Sequence, residues 1–188
     1  MSLDADKLYR DFARWFKTTG GVTTSGQAET KLARVYHAYA QGAEDVSGEH
    51  PINLSADKFE QPLRFRSSRS ARQFARQLDN AFVAYWTGVV FPIFVPPPAF
   101  PPCPNVGGSG EFSSEIVSLV TAVTPNAMYR AVLPILNTAR ATADSAARKL
   151  ANAMDQVTRS AVTVLIVGWD TTAPPTGPFL ITNTCTVF

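Results

Sequence analysis

The sequence predicts an α+β fold: a helical bundle with one long helix in its C-terminal half, packed on a small β-sheet, with a proline-rich extended arm. Apolar residues recur at helical spacing through most of the chain. Apolar runs rich in Val and Thr predict strands near 88–94, 162–167 and 179–187. Pro96 begins a run of prolines that neither a helix interior nor a central strand tolerates.

The chain has the length of one domain, at 188 residues. We expect residues 1–48 to form a helical hairpin, because two amphipathic stripes flank a Thr-Thr-Gly-Gly turn. Residues 67–95 form a helix–strand unit, 96–110 the proline-rich arm, and 113–188 further helices followed by two strands. The first of those helices begins at Ser113 or Ser114 and runs through Val123, and Thr124-Pro125 predicts the N-cap of the next.

The helix–strand unit begins with Ser70-x-x-Gln73, a capping box that predicts a helix start. After Thr87 the helical stripe gives way to a continuous apolar run, as expected where a helix leads into a buried strand. A later stretch repeats this change of period, and the aligned pairs are Ala71 with Ala147, Arg72 with Arg148, Asp79 with Asp155 and Thr87 with Thr163. We interpret this as an internal repeat, although two unrelated Ala-rich helix–strand segments would align about as well.

An unbroken apolar stripe from about Ile135 to Ser160 predicts the long helix. A helix of about 26 residues would be about 39 Å long. Its stripe is rich in alanine, so neighbouring helices can approach it closely.

Charge is scarce in this chain and unevenly placed. Only 17% of residues are charged, against about 25% in an average protein. No charged side chain occurs from Asn80 to Gly110 or from Thr171 to Phe188. This distribution favours a subunit packed against neighbours, and a net charge of +2 gives little support for a nucleic-acid binder.

We predict that the uncharged segments carry the subunit contacts. Pro96 to Pro104 is stiff and extended, so it loses little entropy when it docks. A final uncharged strand would aggregate unless it is paired, and pairing across a subunit boundary is the simplest solution. The predicted contact residues are Phe91, Phe94, Pro97, Phe100, Pro101, Phe179, Ile181, Val187 and Phe188.

Five arginines without an intervening acid precede and enter the predicted helix at Ser70. They are Arg64, Arg66, Arg69, Arg72 and Arg76, and the last three share one helical face. One interpretation is a basic patch that meets an acidic neighbour or a phosphate backbone. The other, which we favour, is a solvated face with surface ion pairs, because the aromatic residues typical of single-strand binders do not alternate with these arginines.

No pattern of residues predicts catalysis, a cofactor or a metal. Cys103 and Cys185 lie in no Cys/His cluster, and two free thiols in a reducing compartment are favoured over a disulfide within or between subunits. His37 and His50 have no partner motif, and the glycines at 107–110 fit neither a phosphate loop nor a nucleophile elbow. The polar N-terminus predicts no signal peptide, and prolines interrupt the most apolar run too often for a membrane span. We therefore expect a protein that is not an enzyme.

Ala-rich helices leading into Val/Thr-rich apolar strands, with an uncharged C-terminus, resemble small structural proteins of tailed-bacteriophage particles. The residues that carry this resemblance are 70–94, 145–167 and 177–188. It implies a subunit of the capsid, neck or tail, made in the host cytoplasm and built into a virion with copies of itself and neighbouring structural proteins. Direct contact with nucleic acid is not favoured, and no membrane or small-molecule substrate is expected. The alternative hypothesis is a small cytosolic helical module that binds a partner or ligand in a groove lined by Trp15, Trp86 and Tyr39.

Overall fold

The computed structural model describes residues 3–18, 25–44, 49–64, 70–91, 115–138, 142–170 and 179–187. Within these residues the chain is mostly helical and carries a small antiparallel sheet, which confirms the α+β class. The elements are α1 (Ala5–Thr18), α2 (Ser25–Ala40), α3 (Ala56–Arg64), α4 (Ala71–Trp86), β1 (Glu115–Val123), α5 (Ala127–Asn137), α6 (Ala143–Ala161), β2 (Val162–Asp170) and β3 (Phe179–Thr186). No helix in the described ranges combines the length and the apolar character that a membrane crossing requires.

The sheet has the strand order β1-β2-β3, with both pairs antiparallel. β2 is the central strand and follows α6 without a loop, since the helix C-cap, Val162, already has an extended backbone (φ −95°, ψ 118°). The predicted strands near 162–167 and 179–187 are therefore confirmed. In the register, Ile166 lies opposite Leu119 of β1 and Asn183 of β3.

The third strand is not where the sequence predicted it. After α4 the chain turns at Gly88, whose φ of +72° belongs to the left-handed region that favours glycine. Of residues 88–91, only Val90 forms an isolated β-bridge, and its carbonyl accepts from Ile52 N at 3.0 Å. The predicted residues 92–94 lie outside the described part of the chain.

Glu115–Val123 supplies the third strand, so the helix predicted to run through Val123 is wrong. This segment is rich in β-branched residues, including Ile116, Val120 and Thr121, which favour a strand over a helix. Pairing along β2 satisfies its backbone, with a register shift between Ile116 and Ser118.

The predicted long helix is also wrong, because two helices occupy that stretch. α5 ends at Asn137, and its C-cap Thr138 has an extended backbone (φ −80°, ψ 93°). α6 begins after Thr142, whose hydroxyl accepts from Ser145 N at 3.2 Å as an N-cap. Threonine favours caps over helix interiors because its hydroxyl can bond to the backbone. The cap at Thr142 therefore interrupts an apolar stripe that otherwise has helical spacing. Pro134 lies within α5, near its end.

The core is centred on aromatic rings from α2, α3 and α4. The ring of Tyr36 stacks on that of Phe59, with centroids 4.5 Å apart, and meets Tyr85 edge-on at 5.4 Å. The indole N–H of Trp86 donates to Tyr36 Oη at 2.7 Å, and that oxygen lies 2.8 Å from Thr158 Oγ1 on α6. Because the Thr158 hydroxyl donates to Met154 O, Tyr36 is the donor to Thr158. One hydrogen-bonded chain therefore links α4, α2 and α6 inside the core.

Helix α1 packs more extensively on α6 than on α2, the partner expected for it in a hairpin. Tyr9 Oη donates to Asp144 Oδ1 at 2.8 Å, and the Arg148 guanidinium lies 4.0 Å from the Tyr9 ring centroid. The aromatic face of α1 therefore packs against α6, a helix far away in the sequence. The spacing of residues in α1 does not indicate this partner.

Candidate assembly interface

The outer edge of β3 is the first surface on which an assembly contact could form. Within the described ranges no strand pairs with it, since β3 ends the sheet. Its eight residues include no acid and no base, although a cysteine, Cys185, lies near its end. Such an edge presents alternating backbone N–H and C=O groups to any strand that approaches.

The outer edge of β1 differs because the turn after α4 covers its C-terminal part. Thr121 N donates to Val89 O at 2.9 Å, and Gly88 N donates to Thr121 O at 3.3 Å. The Thr121 hydroxyl donates to Trp86 O and accepts from Val89 N. The two edges of the sheet are therefore unequal, and among the described residues β3 has the longer unpaired edge.

The end of the sheet at which β2 begins packs into the core. Val162 and Val164 at the start of β2, with Thr121 and Val187 beside them, are buried. The strand then continues for about 20 Å from Val164 to its last residue, Asp170. At this far end the register pairs Glu115 with Trp169, the residue before Asp170.

The structure separates the predicted contact residues into three groups. Phe91 and Val187 are buried in the core of the chain itself, so their apolar surface is already covered there. Phe179 and Ile181 lie on β3, opposite Asp170 and Gly168 of β2. The others lie outside the described residues, and they are Phe94, Pro97, Phe100, Pro101 and Phe188.

The arginine cluster is also divided. Arg64 pairs with Glu60, which is 6% exposed and also accepts from Thr30 Oγ1 at 2.6 Å. The Thr30 hydroxyl and the Arg64 guanidinium together hold the pKa of Glu60 below its ordinary value. Arg64 is therefore part of an ion pair within α3, and the hydrogen bond from Thr30 connects the Glu60 carboxylate to α2. Arg66 and Arg69 lie outside the described residues.

Arg72 and Arg76 are exposed on the outer face of α4. The Arg76 guanidinium lies 5.4 Å from the ring centroid of Tyr129 on α5, a cation–π distance. Arg130, the next residue of α5, is exposed as well. Sequence reasoning named neither Tyr129 nor Arg130, because nothing in their spacing indicates that α5 packs beside α4.

Asp79, the only acid of α4, does not neutralise these arginines. It is 6% exposed, and its two oxygens accept from Asn126 N at 3.0 Å and Tyr129 N at 3.2 Å. Asn126, the N-cap of α5, makes no side-chain cap bond. A carboxylate from α4 therefore caps α5, in place of the predicted Thr124-Pro125 start.

A cleft of about 240 Å³ lies where α1 meets the end of α2. Its lining includes Lys7, whose Nζ donates to Ala38 O at 3.1 Å, and His50, whose Nδ1 lies 2.9 Å from Ala43 O. Lys7 therefore engages a carbonyl in the last turn of α2, where its positive charge complements the helix dipole. The cleft is smaller than the about 300 Å³ at which small-molecule sites begin.

Two of the three residues expected to line a ligand groove, Trp86 and Tyr39, belong to the core. Trp86 is fully buried, and Tyr39 is 2% exposed and donates to Asp155 Oδ1 at 2.6 Å. Across the ranges that the structure describes, no three His, Cys, Asp or Glu side chains come close enough to hold a metal ion. No family model matches the sequence, and neither the curated proteins nor the solved structures contain a match.

Proposed function

We propose that this protein is a structural subunit of a large symmetric assembly, joined to other copies and to neighbouring structural proteins through its uncharged sheet edge. The observation that carries the proposal is the outer edge of β3, which is unpaired among the described residues and has no acid or base along its eight residues. Natural proteins usually protect such edges with charges, prolines or a covering element. A strand from another chain satisfies the same backbone groups.

The placement of charge supports an interface at this strand. Two antiparallel copies of β3 would bring no like charges opposite each other, so the usual electrostatic penalty for self-pairing is absent. The residues from Thr171 to the C-terminus are uncharged as well. Removal of apolar surface from water at the contact would then supply most of the association energy.

The proline-rich segment is the second element of the proposal. Its composition from Pro96 to Pro104 favours an extended, pre-stiffened backbone with Phe100 as an apolar anchor. In this proposal it docks on a neighbouring subunit and reinforces the contact at the sheet edge.

We further propose that the assembly is a tailed-bacteriophage virion, with the protein in its capsid, neck or tail. The support is the pattern noted in the sequence, to which the direct passage from α6 into β2 at Val162 belongs. The protein would then be made in the host cytoplasm and become part of the particle.

Size-exclusion chromatography with light scattering tests the assembly. We expect a defined oligomer at micromolar concentration, and a monomer that stays folded throughout this range would contradict the proposal.

The contact can be located by cross-linking through single cysteines placed along β3. The chain used for this carries Cys103→Ser and Cys185→Ser, so that no native cysteine remains. Two β3 strands paired about a two-fold axis would give disulfide-linked dimers at one central position, such as Thr182→Cys. The matched control is Thr163→Cys on β2, which has strands on both sides and should not cross-link.

A further inference from the structure

We infer that β3 pairs with β3 of a second copy of this chain, antiparallel, about a two-fold axis that passes through Asn183. The two three-stranded sheets then form one continuous sheet. The inference rests on the proposed assembly role and deepens it, because it identifies the partner of the β3 edge and the register of the contact.

The hydrogen bonds of β1 show which backbone groups of β3 face outwards. Thr121 N and Thr121 O bond to Val89 and Gly88, on the side of β1 that is away from β2. In an antiparallel ladder the backbone groups of its register partner, Val164, then point away from β1 and therefore towards β3. Because the register places Val164 opposite Cys185, these two residues form a hydrogen-bonded pair.

The direction of these backbone groups alternates from residue to residue, and the register between β2 and β3 has no shift along the whole of β3. The residues of β3 with outward-facing groups are therefore Leu180, Thr182, Thr184 and Thr186. Each supplies one N–H and one C=O group, and the residues between them bond to β2. Among the described residues no strand pairs with these outward groups.

The outward groups restrict the register of a second β3 strand. An antiparallel partner must place one outward-facing residue opposite another, so the two-fold axis passes through a residue and not between two residues. With the axis at Asn183, Thr182 lies opposite Thr184 of the partner subunit, and Leu180 lies opposite Thr186 of the partner subunit. Every outward N–H and C=O group of both strands then has a partner.

An axis at a neighbouring residue leaves part of the edge unpaired. With the axis at Thr182, Thr186 would lie opposite a proline, Pro178, which has no N–H to donate. With the axis at Thr184, Leu180 would lie opposite Phe188, which is beyond the end of β3. The axis at Asn183 therefore pairs the largest part of the strand.

The residue types along β3 suit this register, because they are nearly symmetric about Asn183. Similar residues lie at equal distances on its two sides, and these pairs are Thr182 with Thr184, Ile181 with Cys185, and Phe179 with Val187. Leu180 with Thr186 is the one pair of unlike polarity. Threonine opposite threonine is a favourable cross-strand combination, and no like charges meet because the segment has no acid or base.

The register also keeps the cores of the two copies apart. Val187 packs into the core at one end of the strand, beside the buried start of β2. In the paired strands it lies opposite Phe179 of the partner subunit, so the two buried ends are about 27 Å apart along the strands. The two cores therefore do not compete for the same end of the sheet.

A contact between identical surfaces about a two-fold axis is isologous, so it closes at two copies. It covers the β3 edge of both copies. The remaining edge of each sheet is that of β1, and the turn after α4 covers its C-terminal part. The dimer is then the unit of the proposed assembly, and a further contact, such as the proline-rich segment, joins the dimers.

Cross-linking of single cysteines measures the position of the axis. In the chain that carries Cys103→Ser and Cys185→Ser, Asn183→Cys should give the largest yield of disulfide-linked dimer. The two copies of residue 183 would form a pair without mutual hydrogen bonds, with Cα atoms about 4.5 Å apart, which a disulfide can span. Thr182→Cys should lose most of this yield, because residue 182 and its own copy would be diagonal neighbours about 7–8 Å apart.

Two charged variants at the same positions test the pairing of residue 182 with residue 184. Thr182→Lys with Thr184→Lys places like charges opposite each other, whereas Thr182→Lys with Thr184→Glu places opposite charges there. Both positions belong to the face of the sheet opposite that of Cys185, the register partner of buried Val164, so neither variant changes the core. Sedimentation velocity should show at least about tenfold weaker dimerisation for the first variant than for the second, and added salt should reduce this difference.

The outcomes separate this inference from the proposed function. A cross-linking yield that is largest at Thr182→Cys or Thr184→Cys moves the axis, and equal dissociation constants for the two charged variants exclude the pairing; either result overturns the register and leaves the edge contact standing. If the wild type associates but no cysteine along β3 cross-links, the inference is wrong and the assembly role stands without this edge. A monomeric wild type overturns both, and this is the result expected if another segment of the chain covers its own β3 edge. Should a charged variant unfold, the cysteine positions alone decide.

Discussion

Replacing Asp79 by alanine should lower the free energy of unfolding by about 3 kcal/mol. The substitution removes two hydrogen bonds from backbone N–H groups to a charged acceptor, at 3.0 and 3.2 Å. Bonds to charged groups contribute about 1.5–3 kcal/mol each, and the loss of a helix cap costs about 0.5–2 kcal/mol. The two ranges describe the same interaction, because the two bonds are themselves the cap of α5. They are therefore not added, and a loss of about 3 kcal/mol is expected.

Two further variants separate the parts of this effect. Asp79→Asn keeps one oxygen acceptor but no charge, so it should cost about half as much. Asp57→Ala is the matched control, since Asp57 is an exposed acid in the first turn of α3 and its loss costs only about 0.3–1 kcal/mol. The expected order of destabilisation is therefore Asp79→Ala, then Asp79→Asn, then Asp57→Ala.

Urea unfolding followed by circular dichroism measures these differences. Protein concentration must be the same for every variant, because association stabilises the folded state. Hydrogen exchange of α5 provides an independent readout, and its amides should lose protection in Asp79→Ala before those of α2. If Asp79→Ala loses no more stability than Asp57→Ala, the carboxylate does not anchor α5 and this explanation is refuted.

Three further predictions concern the core, the response to pH and the proline-rich segment. Trp86→Phe removes the donor to Tyr36 Oη and should lower the free energy of unfolding by about 2 kcal/mol in urea titrations; an unchanged midpoint would contradict the role of the buried hydrogen-bonded chain. Burial lowers the pKa of His37 below its ordinary 6.5, so the unfolded chain takes up the proton first, and the free energy of unfolding should fall as pH drops below about 6.5. His37→Gln should show a weaker dependence over this interval, and an identical slope would exclude His37 as the cause. Deletion of Pro96 to Pro104 should leave the helical circular dichroism intact and abolish assembly in light scattering, and undiminished assembly would remove this segment from the proposed interface.

Local signals in the sequence were sufficient for some elements. Ser70-x-x-Gln73 predicted a cap, and the Ser70 hydroxyl accepts from Gln73 N at 3.2 Å. The switch from a helical stripe to a continuous apolar run predicted the passage from α6 into β2. In both cases the decisive interactions join residues close in the chain, so the order of residue types carries the information.

The remaining elements depend on contacts between distant residues. Glu115–Val123 has β-branched residues at positions that also fit a helical stripe, and pairing with β2 decides in favour of a strand. The start of α5 is set by a carboxylate 47 residues away. The arginine face could be seen only in part, because Arg64 looked equivalent to Arg72 until the ion pair with Glu60 set it apart.

The two aspartates aligned by the internal repeat show how folding and surface charge are connected in this chain. Asp79 caps α5, and Asp155 accepts from Tyr39 Oη and pairs with Arg159 of its own helix. Both carboxylates therefore serve internal contacts. For α4 this leaves no exposed acid beside Arg72 and Arg76, so the same aspartate that holds α5 in place also leaves the outer face positive. If the buried aspartate supports folding while the arginines lie only on the surface, Asp79→Ala should lower the free energy of unfolding by about 3 kcal/mol, whereas Arg72→Glu with Arg76→Glu should change it by no more than about 0.5 kcal/mol.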